Sequence, residues 1–97
     1  MNLKDALAQT LLDFETNPDI WTQGAFAKDA GGDIVTPDDP TATCWCVLGR
    51  VAMLTGSNEL AWNLMDRSRL LRANDNAVGL AEALAELRFI EGNIEWQ

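Results

Sequence analysis

The chain has 97 residues, 47% of them apolar and 23% charged, with four Trp, three Phe, two Cys, no His and a formal net charge of −8. That length fits one domain over residues 1–97 with a single modest core, and the apolar content is that of a folding chain rather than a disordered one. The acidity argues against direct nucleic-acid binding, which needs clustered Lys and Arg, and no apolar run approaches the ~18 residues of a membrane span.

Helix signals open the sequence. Leu3, Leu7, Thr10, Leu11 and Phe14 recur at helical spacing, Asn2 stands in the capping position with Asp5 at the third helical residue, and Pro18 ends the run. The spacing predicts a helix over 2–16. Trp21, Phe26, Ile34 and Val35 are strand-type residues around the turn signal Ala30-Gly31-Gly32-Asp33, which predicts a short hairpin of 24–29 paired with 32–36. Pro37-Asp38-Asp39-Pro40 then forms a rigid loop.

A second helix is predicted over 42–55, capped by Asp39, Thr41 or Thr43, with Cys44, Val47, Leu48, Val51 and Thr55 as its apolar stripe and Gly56 as a left-handed C-cap. Gly49 inside it costs roughly 1 kcal/mol against Ala, which points to a neighbour packed close. Ser57 starts a third helix, with Leu60, Ala61, Leu64, Met65, Ser68 and Leu71 on one face, ending near Arg72. Asn74-Asp75-Asn76 caps a fourth, about 76–91, with Leu80, Leu84, Leu87 and Ile90 inward and Gly92-Asn93 as its stop. The expected fold is α+β: a mainly helical domain of about four helices with one short β-hairpin inserted between the first and the second.

Charge is unevenly spread. Residues 13–39 carry a net −6, residues 50–72 a net +2 and residues 75–97 a net −4. The Met1-Asn2-Leu3-Lys4-Asp5 start lacks the basic-then-apolar pattern of a signal peptide, and Cys44 and Cys46, one residue apart, make a poor structural disulfide. Reduced thiols and a cytoplasmic location are the expectation.

The absence of His removes Ser–His and Cys–His dyads, imidazole acid–base chemistry and His-ligated haem, and two Cys alone cannot complete a structural zinc site. No cofactor or metal is expected. Cys44 or Cys46 could be a thiol nucleophile at the start of the second helix, where the macrodipole lowers a thiol pKa; the plainer reading is a small core hydrophobe. Asp29, Asp33, Asp38 and Asp39 lack the spacing of a calcium loop and read as a solvated acidic surface, and a sugar-cleaving carboxylate pair would need a deeper cleft. Gly31-Gly32 lacks the Gly-Lys-Ser/Thr that completes a phosphate loop. Arg67, Arg69 and Arg72 are too few for nucleic acid and are expected to pair with acids of the fourth helix or the hairpin.

Trp21, Trp45, Trp62 and Trp96 are many for so small a core. Trp21, beside the acidic hairpin, and Trp96, near residue 97, are expected to be partly exposed and to contact a partner. The partner is expected to be a protein with a basic surface, met through Asp29, Asp33, Asp38 and Asp39; self-association as a homodimer is a further possibility. Two other readings stand beside it: a thiol-dependent enzyme using Cys44 or Cys46, and a small-ligand sequestering protein.

The run Trp21–Gly32, with Pro37-Asp38-Asp39-Pro40, Cys44-Trp45-Cys46-Val47-Leu48-Gly49 and Asn74-Asp75, resembles an uncharacterised actinobacterial and phage family, domain of unknown function 6197. The resemblance covers most of residues 21–81. It implies a phage or mobile-element setting, in the host cell cytoplasm, and transfers no catalytic residue. By analogy with small acidic phage proteins, it raises the class of anti-CRISPR-like inhibitors that occupy the basic surfaces of host nucleoprotein complexes.

Overall fold

Asn2 opens the first helix, α1 (Leu3–Thr16), as the spacing predicts: its side chain accepts a hydrogen bond from the Asp5 N–H at 2.8 Å. The structure is a computed structural model and describes residues 1–67 and 79–93. After α1 a short 3-10 turn, Pro18–Ile20, leads to strand β1 (Ala27–Asp29), strand β2 (Ala42–Trp45), and helices α2 (Val47–Thr55), α3 (Asn58–Arg67) and α4 (Leu80–Asn93). The architecture is the expected one, mainly helical with a small antiparallel sheet between the first two helices.

The strand pairing differs from the expectation. The predicted turn forms: the Asp29 N–H donates to the Asp33 carbonyl at 2.9 Å and the Val35 N–H to the Ala27 carbonyl at 3.1 Å, with one bridge between Lys28 and Ile34. The regular ladder, however, joins β1 to β2, with Ala27 opposite Trp45 and Lys28 opposite Cys44. Asp29 then pairs with Ala42, so Thr43 is the extra residue of a bulge. Residues 42–46 are therefore not the start of the second helix. α2 begins at Val47 with Cys46 as N-cap, its backbone extended and its Sγ accepting from the Gly49 N–H at 3.3 Å. None of Asp39, Thr41 and Thr43 caps it.

The remaining boundaries follow the sequence more closely. Gly56 is the left-handed C-cap of α2 at φ 70°, and the Ser57 hydroxyl accepts from the Leu60 N–H at 3.3 Å at the start of α3. α4 starts at Leu80, later than predicted, and continues through Gly92-Asn93 instead of stopping there. Arg69, Arg72 and the predicted cap at residues 74–76 lie outside the described residues.

The core is one cluster drawn from α1 (Ala6, Leu7, Phe14), α2 (Val47, Leu48, Val51) and α4 (Ala83, Leu84, Leu87). α1 packs on both α2 and α4, and an Arg88–Glu15 ion pair ties α4 to α1 at the surface. Gly49 is where α2 meets the chain entering β1: a Cβ there would lie 1.8 Å from the Phe26 carbonyl oxygen. That same carbonyl accepts the Cys46 N–H at 3.2 Å. The close neighbour signalled by Gly49 is thus a backbone, not a side chain.

Thr10 is fully buried on α1, and its Oγ1 has no hydrogen-bond partner among the described residues. An orphaned buried hydroxyl costs about 1–3 kcal/mol, and a same-shaped apolar group removes that cost. Thr10→Val is expected to raise stability by about 1 kcal/mol, seen as a midpoint roughly 4–8 °C higher in thermal melts. A lower midpoint would show that the hydroxyl is satisfied in solution.

Candidate interaction surface

Of the four acids predicted as contacts, Asp29 ends β1 and Asp33, Asp38 and Asp39 lie on the connection from β1 to β2, whose turns Asp29 and Asp39 build. Asp29 Oδ1 accepts from the N–H groups of Gly31 at 2.9 Å and Asp33 at 3.0 Å, folding the turn around its own carboxylate. Gly32 stands at φ 86°, a conformation L side chains rarely adopt. In the next turn Asp39 Oδ1 accepts from the Thr41 hydroxyl at 2.7 Å and the Thr41 N–H at 2.8 Å. These two bonds, the hydroxyl foremost, hold the Asp39 carboxyl below its ordinary pKa. Asp33 and Asp38 are exposed. Pro37 between them is buried, and its carbonyl accepts the Trp45 indole N–H at 2.9 Å, fastening the connection to β2.

Trp21 is half-buried, packed on the core, and lies apart from these acids. Lys28 of β1 bridges Ile34 on one side and pairs with Cys44 on the other, while Trp45 of β2 pairs with Ala27 and bridges Trp21. The lateral order is therefore Ile34, β1, β2, Trp21, which puts Trp21 and the acidic turn at opposite edges. Trp96 lies outside the described residues.

Sequence reasoning missed an apolar groove beside the acidic connection. It has a volume of about 270 Å³ and is lined by Phe26, by Ile34, Val35 and Pro37 of the connection, by Leu48 of α2 and by Trp62 of α3. Ile34 is 71% exposed and Trp62 51%. The Phe26 and Trp62 rings meet edge to face, centroids 5.8 Å apart. Trp62 falls outside the apolar stripe of its helix, and that was the signal available in the sequence.

Several other charged and nucleophilic groups are engaged within the fold. Asp13 receives Arg50 Nη2 at 2.9 Å, Arg50 Nε at 3.0 Å and Gln9 Nε2 at 2.7 Å, and the Arg50 guanidinium stacks 4.5 Å from the Trp45 ring centre. Cys44, placed by sequence at a helix start, is instead a strand residue with Sγ 3.8 Å from the Lys28 carbonyl. Cys46 does stand at a helix N-terminus, but it is 1% exposed and its sulfur serves as the cap. Both thiols are free. Among the described residues, no three His, Cys, Asp or Glu side chains gather to hold a metal ion, and no helix is long and apolar enough to cross a membrane.

No family model, curated protein or solved structure matches the chain.

Proposed function

We propose that this protein acts by binding another protein, presenting the acidic β1–β2 connection to a basic surface. One observation carries the reading: Asp33, Asp38 and Asp39 lie on the β1–β2 connection and Asp29 at its start, and hydrogen bonds of Asp29, Asp39 and Trp45 fix the connection's shape. A preformed loop loses little entropy on docking, and clustered carboxylates speed encounter with a basic partner. Asp13 and Glu15 are matched internally by Arg50 and Arg88, which leaves the connection as the main acidic feature of the first half. Within this reading, the resemblance to the phage family supports a host nucleoprotein complex as the target, inhibited by occupation of its basic channel.

The test is a variant with Asp29, Asp33, Asp38 and Asp39 all changed to Asn. Asn keeps the side-chain oxygens that accept in both turns, so the connection is expected to fold while losing four charges. Recovery of a specific partner from host lysate at physiological salt is expected to fall about tenfold or more against the unaltered bait. Equal recovery by two baits with matching circular dichroism would refute an acidic docking surface.

A further inference from the structure

We infer that the groove beside the acidic connection receives one large apolar side chain from the partner, carried on a segment in which Lys or Arg flank that side chain. The inference rests on the protein-binding reading and names the chemistry of its partner.

Two independent features of the groove converge on this occupant. The first is unspent apolar surface. Ile34 and Trp62 are both more than half exposed although Phe26, Leu48 and Pro37 lie around them. Trp is among the residue types enriched at the energetic anchor points of protein interfaces, and exposed apolar patches mark such sites. At about 270 Å³ the space suits a side chain or two and falls just under the roughly 300–1,000 Å³ of pockets for drug-sized molecules. The second feature is the charge that adjoins the lining residues along the chain. The lining run Ile34–Pro37 is preceded by Asp33 and followed by Asp38 and Asp39, while Glu59 adjoins the lining residue Asn58. Lys28, bridged to Ile34, is a cation near these four acids. An apolar centre whose lining residues are adjoined by acids complements an apolar residue between cations. It disfavours an acidic or phosphate-bearing ligand, and a second copy of this acidic chain would bring like charges together there.

The test uses three acetylated pentapeptides as probes: leucine flanked on each side by two lysines, glycine in the same lysine frame, and leucine flanked by glutamines. Each is titrated into the full chain at physiological salt and followed by amide and indole NMR. The lysine–leucine peptide is expected to bind roughly fivefold or more tightly than either of the others, as partial burial of one leucine implies. It is expected to shift the Trp62 indole N–H and the Ile34–Thr36 amides saturably. Ile34→Ser, at a solvent-facing position the fold tolerates, is expected to abolish the preference for leucine over glycine.

Equal affinity of the two lysine peptides, both weakened by the fourfold Asn variant, overturns the groove and leaves the acidic surface standing. Equal affinity of the two leucine peptides overturns the requirement for flanking cations. Failure of all three at millimolar concentration overturns the groove, and the acidic surface is then judged by the comparison of baits. If Ile34 and Trp62 shift with the protein's own concentration, the occupant is a second copy and the inference is overturned.

Discussion

Replacing Gly49 with Ala is expected to destabilise the protein by about 3 kcal/mol or more, far beyond what the substitution does in an ordinary helix. On propensity alone the change would be favourable by roughly 1 kcal/mol, because Ala loses less backbone entropy than Gly. The added Cβ would lie 1.8 Å from the Phe26 carbonyl oxygen and 2.7 Å from its carbon. No rotamer relieves a clash between a Cβ and a backbone, so α2 and the chain entering β1 must separate. Separation stretches the Cys46 N–H to Phe26 carbonyl bond and displaces Phe26 from Trp62. For a domain with about 5–10 kcal/mol of total stability, the expected drop is a large fraction. Urea unfolding measures it through the midpoint at unchanged slope. A neutral or stabilising result would show that the backbone approach is not as close as described.

Phe14→Ala is expected to cost about 3–5 kcal/mol, against about 0.5 kcal/mol or less for Leu12→Ala two residues away. Phe14 is fully buried in the cluster shared by α1, α2 and α4, whereas Leu12 is mostly exposed on the same helix. Truncating Phe14 removes the transfer free energy of the ring and leaves a cavity in the cluster, in a core too small to repack around it. Leu12→Ala keeps helix propensity and exposes nothing. Paired thermal melts of the two variants measure the contrast, and equal losses would mean that α1 presents a different face to the core.

α1 was legible because every signal agreed: helical periodicity, a capping Asn and a terminating Pro are local, and they need no information from the rest of the chain. Gly49 was legible for a related reason, since a glycine inside a helix is unfavourable unless something occupies the space of its side chain. β2 was not. Cys44, Val47, Leu48 and Val51 happen to fit the helical period, which extended the predicted helix backwards across Ala42–Trp45. The true start depends on Cys46, which is not among the favoured N-cap types, and on pairing with β1 across the intervening turns. The turns at 30–33 and 37–40 were legible because Gly, Asp and Pro encode turns locally, whereas residues 32–36, read as a hairpin strand, contribute a single bridge at Ile34. The groove beside the connection was not read at all. It joins Phe26, Ile34–Pro37, Leu48 and Trp62 from four separate stretches, and only tertiary contact brings them together. Trp21 illustrates the converse: it is near the acids in sequence, yet the sheet carries it to the far edge.

The lateral order of the small sheet bears on how a partner can attach. Its outer positions are single bridges, Ile34 on one side and Trp21 on the other, and Val35 and Thr22 already spend backbone donors on Ala27 and Trp45. Neither side offers the row of vacant amide and carbonyl groups that another chain needs to continue the ladder. Under the proposed protein-binding function, recognition that does not add a strand would read side chains, and its specificity would fall to the shape and charge of the connection between the strands.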